Sequence, residues 1–211
     1  MAEFRVDVPE DDELATALLT ALSRRVRVEP MERGHGTALV LGGARSGKSS
    51  WAEAQLRDRT VVDYVATSLV DDDDPEWQDR VALHRSRRPG SWRTLETLDV
   101  AAVVRDPDEA PVLVDCLALW LSRTLDDVDA WQADEAVWRP ALEQRVDDLV
   151  DALGTTSREV ILVSNEVGSG VVPATASGRM YRDELGRLNA RVAAACDELW
   201  LCVGGFGRRW R

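Results

Sequence analysis

Lysine is almost missing from this chain. Its 26 basic residues include one lysine, Lys48, and are otherwise arginine. A GC-rich genome drives such a bias, and a bias that spares one lysine marks a position arginine cannot fill. Histidine is scarce as well, with only His35 and His84. The three cysteines, Cys116, Cys196 and Cys202, lack metal-ligand spacing and cannot all pair within one chain. They read as reduced, mostly buried thiols of a cytosolic protein. No apolar run approaches the roughly 18 residues a membrane-spanning helix needs. The opening Met-Ala-Glu-Phe-Arg-Val-Asp lacks the basic-then-apolar order of a signal peptide. The expected location is therefore cytoplasmic. Positive charge is also in deficit, with a formal net charge of −12. A chain this acidic repels nucleic-acid phosphates in bulk, which excludes nucleic acid as a partner.

What remains is an ordinary globular balance of 45% hydrophobic and 30% charged residues over 211 positions. That length fits one domain with an appendage and buries a core without staples. The appendage is residues 1–36. Pro9-Glu10-Asp11-Asp12-Glu13 precedes Leu14, Leu18, Leu19, Leu22 and Val26 at helical spacing, and Arg24 and Arg25 close the segment. Acid first and base last suits a helix dipole, which predicts one amphipathic helix over about 10–25 and a linker through Gly34-His35-Gly36.

From Thr37 to the end, residues 37–211, short apolar runs alternate with helical patterns. Strands are predicted at Ala38–Leu41, Val61–Ala66, Pro111–Asp115, Glu159–Ser164 and Glu198–Val203, the last closing the series. Helices are predicted over about 47–57, 75–85, 116–126, 131–153 and 179–196. Strands alternating with helices predict an α/β fold, a mostly parallel sheet with helices on both faces.

Gly42-Gly43-Ala44-Arg45-Ser46-Gly47-Lys48-Ser49 fits the P-loop pattern GxxxxGK[ST], after an apolar strand and before a helix. Its glycines let the backbone turn so that successive N–H groups face phosphate oxygens, and the helix adds its positive end. Lys48 would reach the β- and γ-phosphates as a point charge, where the planar fork of arginine would not fit. Ser49 would ligate Mg2+. Asp115, ending the strand Val112-Leu113-Val114, suits the acid that holds that metal, but also suits an ordinary strand end or helix cap. Asn165 and Glu166 fall at the same carboxyl edge, where ligands gather in open α/β sheets.

His84 lies at the end of the predicted 75–85 helix, which leads into Arg85-Ser86-Arg87-Arg88-Pro89. A neutral imidazole is a good nucleophile toward phosphorus, and arginines neutralise the charge that develops there. A surface histidine beside solvated arginines fits the same residues. His35, between two glycines, carries no such signal.

Taken in order, GGARSGKSSWAE, YVATS, HRSRRPGSWRTLE, LVDCLALWL, LVSNEVGSGVVP and a closing YRDELGRLNARVAAACDELWLCVGG resemble one family over roughly residues 37–207. It is the bifunctional adenosylcobinamide kinase / adenosylcobinamide-phosphate guanylyltransferase family of cobalamin biosynthesis. The resemblance implies a P-loop NTPase fold with a RecA-like sheet and a homotrimer. It implies that adenosylcobinamide is phosphorylated by ATP or GTP, and that GTP then transfers GMP to the product, leaving pyrophosphate. It implies a covalent guanylyl-histidine on His84, and so favours the nucleophile among the two readings of that residue. The implied nucleotide contacts fall on Gly42, Gly43, Ala44, Arg45, Ser46, Gly47, Lys48 and Ser49, on Thr67, Ser68 and Leu69, on Arg85, Ser86, Arg87 and Arg88, and on Glu96 and Asp115. Two features depart from the family. It often has glutamate where Asp115 stands, so a shorter arm must meet the metal or let water bridge. The 36-residue extension lies outside its pattern.

The eight tryptophans share no spacing, so core packing or an interface suits most of them. Trp92, inside the WRT motif, is the one placed to shape an active site. Two rival functions remain at this level. One is a P-loop kinase for another small alcohol without guanylyl transfer; the other is a nucleotide-binding regulatory protein that does not turn over.

Overall fold

A computed structural model describes residues 36–68 and 88–211. Among the described residues seven strands form one sheet: β1 (Thr37–Gly42), β2 (Asp63–Ala66), β3 (Arg93–Glu96), β4 (Val112–Asp115), β5 (Val160–Asn165), β6 (Glu198–Val203) and β7 (Phe206–Arg209). Their order is β3-β2-β4-β5-β1-β6-β7, and every pairing is parallel except β6 with β7. The helices are α1 (Lys48–Gln55), α2 (Val100–Arg105), α3 (Leu117–Asp127), α4 (Glu135–Thr155) and α5 (Ala176–Ala195).

The central strands are apolar on both sides because both sides are covered, as parallel crossovers require. Leu39, Val112, Val114, Val160 and Leu162 pack against α2–α5 on one face. Ala38, Val40, Leu113, Ile161 and Val163 point to the other face, with Trp51 of α1, Trp92 and Trp200. The predicted α/β sheet with helices on both faces is what forms. Trp51, Trp92, Trp120, Trp138 and Trp200 are all buried, so core packing explains most of the tryptophans that can be placed. Trp131 and Trp210 are exposed. The 10–25 and 75–85 helices fall outside the described residues, as does Trp77.

Three elements depart from the sequence reading. The strand series does not close at Val203. Gly204 and Gly205, with φ of 57° and 88°, make a two-residue turn and start the antiparallel β7. A two-residue loop whose central residues both take positive φ matches the twist of its flanking strands, and a Gly-Gly pair is its sequence signal. β3 is an edge strand whose residues are mostly exposed. Parallel pairing and an ion pair hold it, because Arg93 donates to Asp63 at 2.6 and 2.9 Å. α2 is a six-residue helix capped by Asp99, whose carboxylate accepts from Ala102 N at 3.0 Å.

At the opposite end of the sheet from the carboxyl edge, Asp63 also accepts from Arg158 at 2.5 Å. Both side chains are buried. Arg158 donates further to the carbonyls of Val103 and Ala110. This cluster ties the start of β2 to the loops before β4 and β5.

Candidate nucleotide site

The carboxyl ends of β1, β2, β4 and β5 converge on the P-loop, with β5 lying between β1 and β4. Arg45 (φ 58°) and Gly47 (φ 85°) both take left-handed backbone conformations, which turn peptide N–H groups toward a common concavity. The N–H groups of the first turn of α1 lie outside its own hydrogen-bond ladder and face the same space. A Cβ on Gly47 would sit 2.8 Å from Gly205 Cα, and Gly205 N donates to Ser46 O at 2.7 Å. The β6–β7 turn therefore buttresses the loop from behind. Lys48 has its stem buried and its ammonium 3.3 Å from Gly43 O. That pose folds the charge back over the loop it would share with phosphates.

Asp115 faces this loop across the sheet edge. Ser49 Oγ donates to its Oδ1 at 3.2 Å, and Tyr64 Oη donates to its Oδ2 at 2.9 Å. Tyr64 is buried. Burial, and then the neighbouring carboxylate, push its phenol far above the usual range, so it stays a donor. The next peptide, Asp115–Cys116, is cis. Thr67, directly after β2, grips it: its hydroxyl donates to Cys116 O at 2.8 Å and accepts from Cys116 N at 3.0 Å. Burial, and then Asp115, push the Cys116 thiol up to about 11.

Arg88 lies with its guanidinium carbon 3.6 Å from the centre of the Tyr64 ring and donates to Thr94 Oγ1 at 3.3 Å. Glu96 ends β3 opposite Ala66, at the same sheet edge, and Ser68 follows one residue after Thr67. Leu69, His84, Arg85, Ser86 and Arg87 lie outside the described residues, as does His35. Asn165 pairs with Gly42 in register, and Glu166 N donates to Gly42 O at 3.0 Å. The Glu166 carboxylate turns away to close its own loop, accepting from Gly168 N and Ser169 N at 2.6 and 3.0 Å. Trp92 packs in the core cluster that contains Tyr64 and Trp51, beneath the site.

A divalent cation was expected with the nucleotide. Among the described residues there is no group of three or more His, Cys, Asp or Glu side chains able to hold a metal on its own. The donor set is all oxygen, which suits a hard divalent cation that keeps waters and takes one or two protein ligands. Ser49 and Asp115 offer one hydroxyl and one carboxylate beside the phosphate cradle. Tyr64 was not singled out from the sequence. It sits in a buried strand, where an aromatic at an alternating position reads as core, and only the fold brings its hydroxyl to Asp115.

A GxxxxGK[ST] loop between β1 and α1, a facing acid at the end of β4 and a largely parallel sheet define the P-loop NTPase class. Consistent with this, the fold resembles that of a prototypical ATPase from the type III secretion system of pathogenic bacteria, at TM-score 0.53 and 11% identity. That match covers 80% of this chain, which spans about half (52%) of the ATPase. Residues 38–209 match the family model described as cobinamide kinase / cobinamide phosphate guanyltransferase, and the chain belongs to that family. It is 40% identical over 181 residues to the bifunctional adenosylcobalamin biosynthesis protein CobU of Salmonella typhimurium, covering 80% of this chain and 96% of the relative. It is 42% identical over 172 residues to the bifunctional adenosylcobalamin biosynthesis protein CobP of Pseudomonas aeruginosa, covering 80% and 93%. The resemblance read from the motifs is borne out.

Proposed function

We propose that this chain phosphorylates adenosylcobinamide with ATP or GTP and then transfers GMP from GTP to adenosylcobinamide phosphate. The observation that carries the reading is the Ser49–Asp115 contact facing a P-loop that contains the chain's one lysine. The family membership supplies the substrate class.

In the kinase step the P-loop amides and Lys48 hold the triphosphate, and the aminopropanol hydroxyl attacks the γ-phosphorus. The bond to the β-bridging oxygen breaks. Little covalent help is required of the protein, because positioning and neutralisation of charge supply most of the acceleration. Ser49 and Asp115 would hold Mg2+, which when bound neutralises charge on the phosphate oxygens. The hydroxyl of Ser49 donates to Asp115 and so leaves its lone pairs for a cation.

In the second step an imidazole nitrogen of His84 attacks the α-phosphorus of GTP, and pyrophosphate leaves. A phosphate oxygen of adenosylcobinamide phosphate then attacks the same phosphorus. The P–N bond breaks, the histidine is regenerated and adenosylcobinamide-GDP forms. Splitting one transfer into two displacements lowers each barrier. Arg85, Arg87 and Arg88 supply positive charge to the segment. Arg88 is fixed over Tyr64, beside Asp115. A residue four positions from Arg88 is within covalent reach of it, at most about 14 Å of extended chain. That reach supports a histidine and a P-loop that share one nucleotide. Thr67, Ser68, Leu69, Ser86 and Glu96 complete the nucleotide contacts in this reading.

Residues 1–36 stand outside the catalytic unit of residues 37–211, a division supported by a family match that begins at residue 38. The enzyme works in the cytoplasm, where its nucleotide substrates are found. All three thiols are free, and no helix among the described residues is long and apolar enough to cross a membrane. It assembles as a homotrimer, as the family resemblance implies. The test is a product assay with adenosylcobinamide, GTP and Mg2+, resolving the phosphorylated and GDP-linked products. Both should appear in sequence. Phosphorylated product without any GDP-linked product would reduce the enzyme to a kinase.

A further inference from the structure

We infer that Tyr64 is a positioning residue that couples the two halves of the site, orienting Asp115 through its hydroxyl and seating Arg88 on its ring. The inference rests on the reading that Ser49 and Asp115 hold the metal.

The Tyr64 hydroxyl is 2.9 Å from Asp115 Oδ2, while Ser49 takes Oδ1 at 3.2 Å. One carboxylate oxygen is thus fixed from behind by a buried phenol, and the other is presented to the P-loop. An aspartate arm turns about two side-chain torsions, and a buried hydrogen bond from a neutral donor to a charged acceptor removes that freedom. On its other side the same ring carries the Arg88 guanidinium, 3.6 Å above its centre. A guanidinium over an aromatic face is held by the ring quadrupole and by dispersion. Arg88 lies four positions after His84. The ring therefore seats Arg88, four positions along the chain from His84, and the hydroxyl anchors the acid of the proposed phosphate site. The Thr67 clamp on Cys116 fixes the backbone beyond Asp115 and makes no contact with its carboxylate through the hydroxyl, whose bonds go to the Cys116 N and O, so it does not duplicate Tyr64.

The two contacts separate by substitution. Tyr64→Phe keeps the ring and deletes the hydroxyl; Tyr64→Leu deletes both. Mn2+ is the metal probe, its affinity read by electron paramagnetic resonance in the presence of a non-hydrolysable GTP analogue. The second readout is the guanylyl label retained on the protein from GTP labelled at its α-phosphate. Y64F should weaken Mn2+ about tenfold, equivalent to about 1.4 kcal/mol. It should raise the Mg2+ KM of phosphorylation more than it lowers kcat, and cut the guanylyl label no more than about twofold. Y64L should lose Mn2+ affinity to a similar extent and cut the label at least tenfold, the loss being rescued by the phenylalanine. Asp115→Asn is the control. If D115N loses Mn2+ affinity while Y64F keeps it, the Tyr64 inference is overturned and the metal reading stands. If D115N keeps it, the metal reading falls and takes the inference with it. If Y64F and Y64L retain the same label, the stacking half is overturned.

Discussion

Lys48→Arg preserves the charge of the site and changes only its shape, which makes it the sharpest test of the lone lysine. The ammonium lies 3.3 Å from Gly43 O and the residue is only 9% exposed, so little room surrounds it. A guanidinium needs a flat space for five donors in a fixed fork, whereas the ammonium is a compact point charge that rotates freely. At long range the two are alike, so steering of the nucleotide is unchanged and only placement against the transferring phosphate is lost. Losing one preorganised donor at a site of developing charge costs about 2.7–4 kcal/mol, or about 10²–10³ in rate. Phosphorylation of adenosylcobinamide by K48R should fall by that amount, close to the loss in Lys48→Ala. The melting temperature should stay within about two degrees, because no buried pair is broken. The assay is initial-rate formation of adenosylcobinamide phosphate, followed by chromatography. K48R activity within threefold of the unaltered enzyme would refute the argument from shape, and codon bias alone would then have to explain the single lysine.

Other expectations concern metal, stability and thiols. Excess EDTA should abolish both product-forming steps and added Mg2+ should restore them; turnover undiminished by chelation would remove Ser49 and Asp115 from the account. Asp63→Asn should destabilise the protein by about 3–5 kcal/mol in urea unfolding, since the buried Arg158 guanidinium loses its counter-charge. A loss below about 1 kcal/mol would show that the Val103 and Ala110 carbonyls suffice for Arg158. Burial pushes the Cys116 and Cys202 thiols up to about 11 and Cys196 up to about 12. All three thus remain protonated and unreactive at pH 7.5. Iodoacetamide should modify them only after denaturation, as read by intact mass; rapid labelling of Cys196 or Cys202 in the native protein would contradict their burial, and of the half-buried Cys116 its raised thiol.

The sheet and its P-loop were legible because strands covered on both faces must have apolar middles, as β1, β4 and β5 do, while β6 carries an apolar run with every second residue buried. β3 was not, because an edge strand reading Arg-Thr-Leu-Glu carries no alternation, and its stability comes from Asp63 thirty positions earlier. α2 is too short to display a helical period, although Asp99 before an apolar run was its signal. The Gly204-Gly205 pair does carry a turn signal, since both positions take positive φ, but it follows a strand that could equally end the chain's regular structure. Within the site, Lys48, Ser49 and Asp115 followed from residue chemistry at fixed spacing. Tyr64 and the bracing of the P-loop by Gly205 depend on contacts between distant segments, which spacing does not encode.

The central claim is that one guanine nucleotide is shared between the P-loop and His84. The most direct measurement is retention of label on the protein after incubation with GTP labelled at the α-phosphate, in the unaltered chain and in His84→Asn. A stable, acid-labile label of about one per chain, absent from H84N and discharged by adenosylcobinamide phosphate, is the result expected of a phosphoramidate intermediate. Equal labelling of H84N, or no label on the unaltered chain while adenosylcobinamide-GDP still forms, would contradict it.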